Sequence, residues 1–117
     1  MTLPKSYPAL SFDVPHTRLV QAIAERRQAG IRIIFVSDIY LAEGFVRDTL
    51  ARLGISDPSD AIYVSSTWGC MKAWGDLFRE VLRAERLRPE ELCHCGDSLR
   101  SDVEMPQALG IRGLSMQ

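Results

Sequence analysis

A chain of 117 residues, 46% apolar and 25% charged, has the composition of one soluble globular domain with a modest core. A formal net charge of −1 gives no electrostatic reason to expect nucleic acid, and no apolar run is long enough to cross a membrane. Met1 to Pro8 lacks the apolar stretch of a signal peptide, so the expectation is a cytoplasmic protein with no membrane or nucleic-acid partner.

Residues 1–8 read as a flexible N-terminal segment before a short apolar run, Ala9 to Asp13. Thr17 to Ala29 is predicted as a helix with Leu19, Val20, Ile23 and Ala24 on one side. It stops at Gly30, a residue suited to the left-handed position after a helix, and Arg26-Arg27 falls on its solvated face. Ile31 to Val36 is a β-branched and aromatic strand that ends at Ser37-Asp38. A second helix, near Ala42 to Leu53, is expected to bury Phe45, Val46, Thr49, Leu50 and Leu53 before Gly54. Asp57-Pro58-Ser59-Asp60 then turns the chain into the strand Ala61 to Val64. A third helix, from about Ala73 to Leu87, presents Trp74, Leu77, Phe78, Val81 and Leu82 as one face, and a strand follows from Leu92. A short helix containing Met105 and Leu109 leads through Gly110 to a last strand, Ile111 to Leu114. Strands alternating with helices through short loops imply one α/β domain over residues 1–117. Its Rossmann-like parallel sheet is covered by helices on both faces.

In such sheets, ligands bind beyond the carboxyl ends of the strands, where helix N-termini favour anions. Three polar settings fall there. Gly96-Asp97-Ser98-Leu99-Arg100-Ser101-Asp102 places two carboxylates just after an apolar run and about one helical turn apart. Ser37 stands at the tip of a buried strand. Lys72 lies near the start of the third helix, where a cation gains from an anion to pair with. Each alone is also compatible with an ordinary strand-loop-helix junction or a solvated lysine.

Taken together, these runs resemble the haloacid dehalogenase-like (HAD) phosphohydrolase superfamily. Phe35-Val36-Ser37-Asp38-Ile39-Tyr40-Leu41 is similar to its second motif, Ser65 to Gly75 with Lys72 to its third, and Gly96-Asp97 with Asp102 to its fourth. The resemblance runs from about Thr17 to Leu114 and implies a Mg2+-dependent hydrolysis of a small phosphorylated substrate through an aspartyl phosphate. It assigns Ser37 and Lys72 to the phosphate, with Lys72 also neutralising charge at the nucleophile. It assigns Asp97 and the nucleophile to Mg2+, with Asp102 supporting the metal shell or Lys72.

The first motif departs from the pattern. Its nearest match is Phe12-Asp13-Val14-Pro15-His16-Thr17, in which Asp13 and Thr17 fit and Pro15 stands where a second Asp is expected. That acid normally protonates the leaving group, so hydrolysis should be slow and should favour good leaving groups such as aryl phosphates. Two accounts compete. Ala9 to Asp13 is either the central nucleophile strand, with Asp13 catalytic and a metal ligand, or a linker in a truncated or inactive module that binds phosphate or a protein. The family usually places a cap after this motif and there is no room for one here. A capless core would be covered by a partner domain, a second copy or the substrate itself. A receiver-like domain fits less well, because Asp13 has no acidic neighbour.

The three cysteines are an odd number and offer no disulfide framework. Cys93-His94-Cys95 invites a zinc reading, yet adjacent strand residues face opposite sides of a sheet, and buried cysteines acting as small hydrophobes fit better.

Overall fold

The computed structural model describes residues 3–13, 19–37, 43–65 and 75–116. Its five strands are β1 (Ala9–Phe12), β2 (Arg32–Ser37), β3 (Ala61–Val64), β4 (Leu92–Gly96) and β5 (Arg112–Ser115). The helices are α1 (Val20–Gln28), α2 (Glu43–Arg52), α3 (Asp76–Glu85) and α4 (Met105–Ala108), the last continuing a π-helical turn over Leu99–Glu104. All strand pairs are parallel in the order β3-β2-β1-β4-β5. The fold is the α/β, Rossmann-like sheet that the sequence pattern predicts.

Side-chain alternation divides the core between the two faces. Leu10, Phe12, Ile33, Phe35, Cys93 and Cys95 face one way, against Ile23 of α1 and Val46 and Leu50 of α2. Ala9, Ile34, Val36 and Leu92 face the other way, against Leu77, Phe78 and Val81 of α3. Strands buried on both faces read as continuous apolar runs, which is why β2 carries no alternation in its sequence. Gly30 has φ +90° after α1, a conformation that L side chains rarely adopt.

Three expectations about burial change. Phe45 and Leu53 are 53% and 51% exposed, because α2 packs on the edge strand β3 and only its narrow Val46–Leu50 stripe reaches the core. Arg26 is buried rather than solvated: its Nε and Nη2 donate to the Leu3 carbonyl at 3.2 and 2.7 Å, and Nε also reaches the Pro4 carbonyl. These carbonyls precede β1 and would otherwise need another donor. Arg27 is bound as well, to Asp60 at 2.6 Å. Leu3 itself is 1% exposed within the core, whereas Lys5, Ser6 and Pro8 are exposed.

Candidate active site

The strand order reverses between β1 and β4, so the switch point of the sheet lies outside their carboxyl ends. The Asp13 amide donates to the Cys95 carbonyl at 3.1 Å and extends the β1–β4 ladder by one residue, which fixes Asp13 at that switch point. Asp97 is the first residue after β4. Asp102 is carried back to it by the π-helical turn: its amide donates to the Ser98 carbonyl at 2.8 Å, and its Oδ2 accepts from the Ser98 amide at 3.1 Å. Gly96 makes this return possible, since any Cβ there would overlap the Asp102 carboxyl group.

Asp13, Asp97 and Asp102 therefore converge, each offering a carboxylate oxygen within 4.8 Å of the other two. Their burial is graded: Asp97 is exposed, Asp13 half-buried and Asp102 wholly buried. Like charges brought this close disfavour one another, so the arrangement gains from a bound cation. An all-carboxylate set is the donor type that a hard divalent ion such as Mg2+ takes. Ser37, the last residue of β2, ends at the same side of the sheet and is 4% exposed. Lys72, Pro15, His16 and Thr17 lie outside the described residues.

Two polar residues that sequence reasoning did not assign to the site sit behind it. Ser11 and His94 are register partners in β1 and β4, and Ser11 Oγ meets His94 Nδ1 at 2.7 Å. His94 Nε2 meets Asp102 Oδ1 at 2.8 Å, and all three residues have no exposed surface. The available signal was a serine and a histidine at the third position of two apolar strands. His94 thus faces away from Cys93 and Cys95, which leaves no zinc set in the Cys93-His94-Cys95 run. The Cys95 thiol is pushed up by its hydrogen bond with Cys93 and by burial, as befits an inert core cysteine.

Among the described residues, no helix is long and apolar enough to cross a membrane. The model of the haloacid dehalogenase-like hydrolase family matches residues 6–110. The chain is 31% identical over 85 residues to the mouse haloacid dehalogenase-like hydrolase domain-containing protein 3, an alignment covering 73% of this chain and 33% of that protein. It spans about a third of the length of the curated relatives it matches. Its fold is similar to that of an uncharacterized Listeria monocytogenes protein, with a TM-score of 0.79 and 18% identity over 93% of this chain and 78% of the other. It is also similar to the core domain of a provisionally assigned phosphoglycolate phosphatase from Streptococcus pneumoniae, with a TM-score of 0.74 and 19% identity over 96% of this chain and 81% of the other. A strand order that reverses at β1–β4, acids gathered at that point and a family match across nearly the whole chain agree: this chain belongs to the haloacid dehalogenase-like hydrolases.

Proposed function

We propose that this chain is the core of a Mg2+-dependent phosphohydrolase that acts on small phosphoesters through an aspartyl phosphate at Asp13. The observation that carries the reading is the position of Asp13 beyond the central strand, its carboxylate beside those of Asp97 and Asp102. In this reading an Asp13 oxygen attacks phosphorus, the P–O bond to the leaving group breaks, and the leaving group departs with the bond pair. Water then attacks the phosphorus of the aspartyl phosphate, which releases phosphate and restores the Asp13 carboxylate. Ser37 donates its hydroxyl to a phosphoryl oxygen, and Lys72 offsets charge between nucleophile and phosphate. Asp13, Asp97 and Asp102 would hold Mg2+, Asp102 from its buried position behind the other two. When bound, the ion supplies positive charge where the phosphoryl group and the nucleophile meet.

Pro15 stands where a general acid is expected, so nothing in the first motif helps to expel a poor leaving group. The proposal therefore ties activity to aryl phosphates over alkyl ones. Phosphate release from an aryl phosphate, measured with and without Mg2+ for the wild type and Asp13→Asn, tests it. The expected result is Mg2+-dependent turnover in the wild type and none in a folded D13N protein. Equal rates in both would remove Asp13 as nucleophile. Pro15 also supports a second reading, a module that binds phosphate without turnover; it predicts vanadate binding in a wild type that releases no phosphate.

A further inference from the structure

We propose that His94 is a positioning residue for this site: with Ser11 it forms a hydrogen-bonded line, buried across β1 and β4, that fixes the carboxylate of Asp102 within the acidic cluster. The inference rests on the metal reading above and deepens it. Asp102, as a carboxylate, only accepts, so the proton between it and the ring is on His94 Nε2. In the neutral ring Nδ1 is then the acceptor, and the Ser11 hydroxyl, 2.7 Å away, donates to it. Phe78 of α3 closes the arrangement by packing edge-on to the ring, with centroids 4.8 Å apart.

The physical argument is one of cost. Three polar side chains have no exposed surface, and the His94 ring packs on Phe78 of the apolar cluster between the sheet and α3, where aliphatic residues would bury at no polar penalty. The line compensates by leaving neither ring nitrogen without a partner. What it gains is orientation. Asp102 Oδ1 is held by Nε2 and Oδ2 by the Ser98 amide, so the carboxylate cannot turn about its own axis beside Asp13 and Asp97. Partners behind a metal ligand that orient it in this way typically change metal affinity tenfold to a hundredfold.

Two measurements test the proposal. In metal-free wild type, imidazole 15N shifts of His94 should report a proton on Nε2; a neutral ring protonated on Nδ1 would overturn the line. Mg2+ titration, followed by calorimetry, should then show affinity weakened about tenfold or more in folded His94→Leu. His94→Gln, which can still donate to Asp102, should recover most of it. Equal Mg2+ affinity in wild type and folded H94L overturns the positioning role and leaves the metal reading intact. A wild type that binds no Mg2+ overturns both the metal reading and this role for the line, even where the 15N shifts show it formed. If H94L does not fold, Ser11→Ala decides: weaker Mg2+ binding with altered ring shifts supports the line, and unchanged values for both overturn it.

Discussion

At the amino end of the sheet Arg27 meets Asp60 at 2.6 Å and Arg32 meets Glu85 at 2.9 Å, whereas at the carboxyl end the oxygens of Asp13, Asp97 and Asp102 gather within 4.8 Å. One end pairs unlike charges and the other concentrates like ones. At the amino end Arg27, Arg32 and Glu85 shift toward their charged forms. The hydrogen bonds that Arg27 donates to Asp60 raise Arg27 further, and although burial alone would push Glu85 up, the hydrogen bonds from Arg32 and Tyr63 hold it below its ordinary value. Burial, followed by the bond to Glu85, raises the Tyr63 phenol, so Tyr63 remains a donor. Such pairs tie α1, α3 and the strand starts together. Gathered carboxylates do the opposite: like charges held together disfavour one another, and a bound cation offsets that repulsion.

The comparison predicts that binding and stability separate between the two ends. Its largest expected effect is Asp97→Asn, which should weaken Mg2+ about a hundredfold while leaving the melting temperature unchanged or raised, because a repelling charge is gone. Lower stability with unchanged Mg2+ binding would break the contrast. Next, Asp60→Ala should cost about 2 kcal/mol in urea denaturation with no change in Mg2+ affinity. That figure is below the cost of opening a fully buried pair because the Arg27 side chain is 23% exposed. No measurable destabilisation would show that the Arg27–Asp60 pair ties nothing together. The smallest effect is in acid. Glu85 is held below its ordinary 4.5, so its contribution is present above that value and lost as pH falls through the lower folded one. Glu85→Gln should therefore lose less stability than the wild type on acidification below 4.5, as followed by thermal melts. An identical pH profile would mean that Glu85 makes no pH-dependent contribution.

The strands and α3 were legible in the sequence because burial on both faces writes continuous apolar runs and a helical face writes its spacing. The place of Asp13 beside Asp97 and Asp102 was legible through the likeness of Asp13 and Thr17 to the first motif of the resembled family, with no local signal in the strand itself. Side-chain neighbours across long separations were not legible. Arg26 reads as surface until the chain before β1 brings it two carbonyls, and Phe45 and Leu53 read as core until the sheet edge is located. His94 escaped for the same reason: nothing local shows that its register partner is Ser11.

The placement of β1 between β2 and β4 also has a meaning for biosynthesis. Ser11 and His94 lie 83 positions apart, so a ribosome delivers one strand long before the other. Until residue 96 has emerged, the β4-facing edge of β1 carries unpaired amide groups and invites contact with other chains. No acidic cluster exists during that interval either, because Asp13 has not yet met Asp97. The three carboxylates gather only after β4 and the turn that carries Asp102 back to it have both been made.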